Sequence, residues 1–307
     1  MSSHPAIAGI PLVLGGNVFG FTADEDASFA VLDAFYEAGG RMIDTADVYS
    51  AWVPGHKGGE SETVLGKWFA ASGKRTEMKL HTKTGMLGGK ELYEPARVLA
   101  SLDASLERLQ TDYVDLYYAH RDYEELAIED IVAAFDGVVK TGKVRSLGAS
   151  NFNAARLAAA LDVADATGAM PFSALQNEYN LVSRAAYGPD LQELCTGRGV
   201  AMLPFYGIAN GFLTGKYRTE ADLGKSVRGA RMAKLIETGA PMLAVMDTVA
   251  SETGASLAQI ALAWLRVQPG IGAPIASATT AEQVRELCGA ASLTLSAEQL
   301  DRLTQAL

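Results

Sequence analysis

Eight short apolar runs, separated by segments of helical periodicity, predict an α/β protein of the (β/α)8 barrel class. Two further observations point the same way. Several runs end in, or just before, a lone polar residue, and the ends of barrel strands are where such folds present working side chains. No internal repeat, low-complexity tract or Pro/Ser-rich linker interrupts the chain, so residues 1–307 are expected to form a single domain.

The runs lie at 12–16, 41–44, 78–83, 114–119, 144–149, 173–177, 200–204 and 271–277. Helical spacing falls between them, at 28–38, 95–109, 128–139 and 154–166. Pro95 suits a first helical turn, and Gly39, Gly142 and Gly168 suit helix ends. Two parts exceed a bare barrel. Residues 7–10 are expected to add an N-terminal strand or hairpin across the barrel floor. The extended loop after the seventh strand, 211–240, carries Lys216, Arg218, Lys225, Arg228, Arg231 and Lys234, and its length marks a lid or binding loop. A doubly wound sheet is the rival architecture. Leu14-Gly-Gly-Asn-Val-Phe-Gly20 supplies glycines without the spacing that fold uses at its first turn, and the rival is rejected.

A hydrophobic content of 49% is ample for a large core. No apolar stretch reaches the ~18–20 residues of a membrane span, and the first residues lack a secretory signal's apolar stretch, so a soluble cytoplasmic protein is expected. Cys195 and Cys288 are too few for a disulfide framework, and four histidines without HxH or HExxH spacing predict no metal. A net charge of −10 argues against nucleic acid as a partner while leaving room for a local basic pocket.

Asp44, Lys83 and His120 close the second, third and fourth runs, and Tyr49 follows Asp44 by five residues. An ammonium beside a carboxylate and a phenol is costly to bury unless chemistry needs it. The lysine would favour the phenolate and lower the tyrosine's pKa from its usual ~10, the carboxylate would hold the lysine charged, and the histidine would orient a carbonyl oxygen. Each residue has an ordinary alternative. Asp44 could cap a helix, Tyr49 could pack, Lys83 could be a surface charge and His120 a satisfied rim histidine. Their coincidence on three adjacent strand ends favours one shared site.

With their surroundings these residues resemble the aldo-keto reductase superfamily over nearly the whole chain. The markers are Ile43-Asp-Thr-Ala-Asp-Val-Tyr49, Gly59-Glu-Ser-Glu-Thr-Val-Leu-Gly66, Lys83-Thr-Gly85, Asp115-Leu-Tyr-Tyr-Ala-His120, Gly148-Ala-Ser-Asn151, Gln176-Asn-Glu-Tyr-Asn180 and Gly211-Phe-Leu-Thr-Gly-Lys216. The loop Ala51-Trp-Val-Pro-Gly55 looks most like bacterial members related to the potassium-channel β-subunit branch. The resemblance implies reduction of an aldehyde or ketone by NADPH, with NADH possible. Tyr49 would be the general acid, supported by Lys83 and Asp44, with His120 placing the substrate oxygen and no metal involved. The same branch admits another class, a cofactor-binding regulatory subunit with little turnover, which the intact four residues disfavour. An aldolase using Lys83 as a Schiff-base nucleophile is a third reading.

The resemblance also implies a cofactor set: Gly16, Asn17 and Asp44 near the first two strand ends, and Ser150, Asn151 and Gln176 for the carboxamide. Phe205 would stack on the nicotinamide, and Tyr206, Gly207, Ile208, Ala209 and Asn210 with Lys216 would hold the pyrophosphate. Arg228 would meet a cofactor phosphate, and Ser277, Thr279, Gln283 and Glu286 would grip the adenosine half. Two departures matter. Thr279 stands where many relatives have an arginine for the 2′-phosphate, and Leu287 replaces a common asparagine. For the substrate, a small apolar or sugar-like carbonyl compound is expected, with Trp52 and Tyr123 as aromatic walls.

Overall fold

The computed structural model describes residues 4–225 and 229–307. Eight strands appear in chain order: β1 Val13–Gly15, β2 Met42–Asp44, β3 Lys79–Thr84, β4 Leu116–Ala119, β5 Leu147–Ser150, β6 Phe172–Gln176, β7 Ala201–Met202 and β8 Ile275–Ala276. Every neighbouring pair is parallel, and the order runs β7-β6-β5-β4-β3-β2-β1-β8. The ring closes between β7 and the chain entering β8. There Met202 N–H donates to the Gly270 carbonyl at 2.8 Å, Gly272 N–H to Met202 at 2.8 Å, and Ile275 N–H to Pro204 at 2.9 Å. This is the (β/α)8, or TIM-barrel, architecture.

Strand side chains alternate between lumen and outer shell. On β3, His81 and Lys83 point inward, whereas Leu80 joins the outer core and the Thr82 hydroxyl donates to Glu62 at 2.6 Å. Inward residues Val13, Met42, Leu116, Tyr118, Ala174 and Ile275 form a separate apolar cluster that fills the lumen. The N-terminal segment covers the floor as expected, though as irregular chain with a single antiparallel bridge, Gly9 to Gly40, rather than as a strand or hairpin. Its hold is specific. The Ala6 carbonyl meets His81 Nε2 at 2.9 Å, and His4 Nε2 meets Ser173 Oγ at 3.0 Å. The segment's main-chain bonds are otherwise local turns and one contact at Gly39: Ile7 N–H donates to His4, Leu12 N–H to Ile10 and Ile10 N–H to Gly39, so it pairs along no strand.

The helices are α1 Glu25–Glu37, α2 Glu60–Ser72, α3 Pro95–Leu109, α4 Ile128–Val139, α5 Ala154–Thr167, α6 Pro189–Arg198, α7 Ala233–Thr238, α8 Ala240–Thr253, α9 Leu257–Arg266, α10 Ala281–Gly289 and α11 Ala297–Gln305. Local chemistry sets their ends. Asp24 and Asn153 accept from the first-turn amides of α1 and α5, and α9 begins with a capping box of Ser256 and Gln259. Gly168 ends α5 with φ 72°, a left-handed conformation that glycine adopts without strain. At Gly66 the requirement is space. A Cβ there would lie 2.1 Å from the Arg108 carbonyl oxygen, so α2 and α3 touch backbone to backbone. Gly66→Ala is expected to destabilise the fold by about 1–3 kcal/mol, read as a lower urea midpoint. An unchanged midpoint would mean the helices can part freely.

The extended segment after β7 winds through 3-10 turns, Ala209–Thr214 and Glu220–Lys225 among them, before α7 and α8. Among the described residues no helix is long and apolar enough to cross a membrane. Nor is any group of three or more His, Cys, Asp or Glu placed to hold a metal ion.

Candidate active site

The barrel brings together Asp44, Tyr49, Lys83 and His120. Parallel register sets Asp44 beside His81 and Lys83 beside Tyr118, so the ends of β2, β3 and β4 stand level at one mouth. Lys83 is fully buried, and its Nζ donates to Asp44 Oδ1, to the Thr45 carbonyl at 2.7 Å and to the Tyr49 hydroxyl at 3.2 Å. Three acceptors satisfy the three protons of the ammonium. Gln176 Nε2 donates to the other Asp44 oxygen at 2.9 Å. The imidazole of His120 lies edge-on to the Tyr49 ring, centroids 6.1 Å apart.

The charges follow from this packing. Burial works to neutralise Lys83, but Asp44 and then Tyr49 outweigh it and raise its pKa above the usual 10.5. An amine held so firmly as ammonium is a poor nucleophile, which counts against Schiff-base chemistry. For Tyr49 the sequence-based expectation is corrected. Lys83 does pull the phenol's pKa down, but burial is the larger influence and the net shift is upward from 10.0. The hydroxyl therefore stays protonated at neutral pH, ready to donate. Burial and then the charge of Lys83 hold His120 well below its usual 6.5, so its imidazole is neutral.

The remaining predicted residues fall into three groups. Ser150 and Asn151 belong to the same mouth: Ser150 Oγ donates to the Gln176 carbonyl at 2.8 Å, and Asn151 Nδ2 donates to the His120 carbonyl at 3.0 Å and Ser150 Oγ at 3.1 Å. Gly16 N–H donates to the Asp44 carbonyl at 2.7 Å, and Ser277 Oγ donates to Asn17 Oδ1 at 2.7 Å, joining the ends of β1, β2 and β8.

The second group follows β7. Phe205 and Tyr206 pack edge to face at 5.0 Å, and Asn180 Nδ2 holds the Tyr206 carbonyl at 3.1 Å. Tyr206, Ala209, Asn210 and Gly211 all have positive φ, and Gly207 and Ile208 lie among them. Several amides of this run are engaged within the chain: Gly207 N–H donates to the Ile275 carbonyl at 3.4 Å, Ala209 N–H to Tyr206 at 2.7 Å and Gly211 N–H to Ile208 at 2.9 Å. The Lys216 ammonium lies against Gly211, where a Cβ would meet Nζ at 3.1 Å. The loop thus places one ammonium beside a tight turn. The third group is farther out on α10. Thr279 N–H and Oγ1 both reach Gln283 Oε1, at 2.9 and 3.1 Å, and Glu286 is exposed. Arg228 lies outside the described residues.

Of the two substrate-wall candidates, Trp52 reaches the site and is 52% exposed, its ring 5.7 Å from Tyr49 and 6.2 Å from Phe21. Tyr123 instead donates to the Gly85 carbonyl at 2.5 Å and packs on Tyr93. Sequence reasoning missed two partners. The Thr45 carbonyl is backbone and leaves no residue-type signal. Asp47 did leave one, as a second acid three residues past Asp44 in a run that is otherwise apolar or small.

The structure is a closed parallel barrel with a lysine, a carboxylate, a phenol and an imidazole converging at its mouth. A sequence model of the Aldo/keto reductase family matches residues 11–307, and the chain belongs to that family. It is 33% identical to the uncharacterized oxidoreductase YrpG of Bacillus subtilis, over 95% of this chain and 90% of that one. It is 30% identical to L-glyceraldehyde 3-phosphate reductase of Escherichia coli O157:H7, over 94% and 85%. It is 29% identical to aryl-alcohol dehydrogenase [NADP(+)] of Phanerodontia chrysosporium, over 92% and 76%.

Proposed function

We propose that the protein reduces a small aldehyde or ketone to the alcohol with NADPH, NADH serving less well, and that Tyr49 is the general acid. The observation that carries this reading is the contact of Lys83 Nζ with both Asp44 and the Tyr49 hydroxyl, beside a neutral His120. The reduced nicotinamide supplies the hydride. As negative charge develops on the carbonyl oxygen, the Tyr49 proton moves onto it, and the phenolate left behind is stabilised by the Lys83 ammonium. Asp44, itself fixed by Gln176, keeps that ammonium in place. His120 donates a hydrogen bond that aligns the oxygen.

Ser150, Asn151 and Gln176 would hold the carboxamide, Phe205 would cover the ring, and the loop of positive-φ residues with Lys216 would take the pyrophosphate. Preference for NADPH rests on Arg228, because Thr279 offers only a hydroxyl to a 2′-phosphate. The names of the relatives, an NADP-linked aryl-alcohol dehydrogenase and a glyceraldehyde-phosphate reductase, agree with carbonyl–alcohol chemistry. Trp52 and Phe21 favour an apolar or aromatic substrate over a charged one.

The test follows NADPH and NADH oxidation separately over a panel of aldehydes, ketones and keto-sugars. Turnover with none of them, despite cofactor binding, would sink the enzymatic reading. Lys216→Ala is expected to weaken both cofactors about tenfold, or 1.4 kcal/mol, as measured by quenching of tryptophan fluorescence. Unchanged affinity for both would take Lys216 out of the cofactor loop.

A further inference from the structure

Asp47 is buried, 3% exposed, at the back of the turn that delivers Tyr49, and the mechanism above does not use it. Its backbone N–H donates to the Lys83 carbonyl at 3.2 Å, and its Oδ2 accepts from Thr84 Oγ1 at 2.7 Å. The Thr84 carbonyl in turn accepts from His120 N–H at 2.9 Å, and Tyr49 N–H closes the turn onto the Ala46 carbonyl at 3.1 Å. The side chain thus ties the Tyr49 turn to Thr84 at the end of β3, and main-chain bonds carry the connection on to Lys83 and His120. Its other oxygen, Oδ1, is buried and has no hydrogen-bond partner among the described residues. A carboxylate there would be a buried charge with only the Thr84 hydroxyl, the Val48 amide and the more distant Arg108 to stabilise it, which is unfavourable.

We propose that Asp47 is a positioning residue for the reaction: its carboxyl clasps the Tyr49 turn onto the end of β3 through Thr84, and ionisation displaces that turn by placing a poorly compensated charge in a buried pocket beside Glu62. This rests on the reading of Tyr49 as the acid. The Thr84 bond itself favours the charged form, but burial outweighs it. The surroundings are consistent with a carboxyl that changes charge near neutrality. Glu62 faces it from α2 and Arg108 from α3, with opposite effects, Thr84 bonds it from β3, and Tyr117 of β4, Tyr93 and Tyr123 complete its neighbours. Burial dominates and pushes its pKa up to about 7. For an acid so shifted, the folded state binds the proton between the ordinary 3.8 and about 7, and stability falls as pH rises through that window.

Asp47→Asn keeps an acceptor for Thr84 and removes the titration. In the wild type kcat for carbonyl reduction is expected to fall about threefold as pH rises through neutrality, and in Asp47→Asn that step should vanish. Thr84→Val should lower kcat about tenfold with cofactor affinity unchanged, and Thr84→Ser should restore it to within about twofold. Two readouts are independent of turnover. The infrared carbonyl band of a protonated buried carboxyl should be present near pH 6, lost by about pH 8.5 and absent from Asp47→Asn. The melting temperature of the wild type should drop relative to Asp47→Asn as pH rises from about 4 to about 7.

A neutral-pH step that survives in Asp47→Asn, wild-type kcat in Thr84→Val, or a carboxyl already ionised at pH 6 would each overturn the proposal. Its failure is distinct from failure of the Tyr49 reading. If Tyr49→Phe is inactive while Asp47→Asn keeps the step, only Asp47 loses its role; if Tyr49→Phe stays active, the site itself has been misread.

Discussion

Replacing Tyr49 by phenylalanine is expected to reduce carbonyl turnover by roughly 10²–10⁴-fold, the range for removal of a positioned general acid. The change is confined to one oxygen. Lys83 keeps its bonds to Asp44 and to the Thr45 carbonyl, and the ring keeps its neighbours Trp52 and His120. Cofactor affinity should therefore stay within about twofold, and the loss should appear in kcat rather than in KM. The pH profile adds a second check. With its pKa raised above 10.0, the wild-type phenol is protonated at neutral pH and surrenders its proton only in strongly alkaline solution. The alkaline decline in reduction should thus belong to Tyr49 and disappear from the small residual activity of the variant. Near wild-type turnover in Tyr49→Phe would remove it as the proton donor.

Lys83→Met is expected to damage both activity and stability. Asp44 would be left in the lumen facing only Gln176, and breaking a buried ion pair on one side typically costs about 3–5 kcal/mol. The sign with pH follows from the lysine's raised pKa: its stabilising contribution is fully present below 10.5 and is lost as pH climbs through the folded value. Removing both partners, as in Asp44→Leu with Lys83→Met, should recover much of the lost stability, because no unpaired charge remains. It should recover none of the activity. Denaturant midpoints of the single and double variants, with kcat alongside, separate the two effects. A single variant as stable as the wild type would mean the pair is not a buried charge pair at all.

Much of the fold was legible in the sequence because its signals are local. Helices α3 and α4 begin and end where their periodicity and Pro95 place them, and the eight apolar runs contain or overlap all eight strands. The strand ends blurred where burial extends beyond the ladder. Residues 200–204 read as one run, yet regular strand is confined to Ala201–Met202, and beyond it Leu203 and Phe205 N–H groups make single bonds to Leu175 and Asn177. The floor segment misled for a related reason: its apolar residues fit the lumen, but its hydrogen bonds go to local turns, to Gly39 and to the buried His81, which no pattern could foresee. At the site, the residue types and their spacing revealed the four polar groups. They did not reveal the balance between burial and a neighbouring charge that decides the phenol's pKa, since that depends on how deeply the turn is packed. The clasp at Asp47 was hidden for the same reason. Whether a second acid in a short run faces water or Thr84 is a tertiary fact.

Among the described residues, Ala6 and His81 close the floor beneath the apolar cluster that fills the lumen, so the site is served from the mouth. Under the proposed chemistry, each turnover strips a proton from Tyr49, a partly exposed residue whose ring lies beside Trp52 and His120 at the mouth where substrate would also sit. Re-arming the phenol would then wait until the alcohol departs, making product exit and acid recovery a single kinetic event.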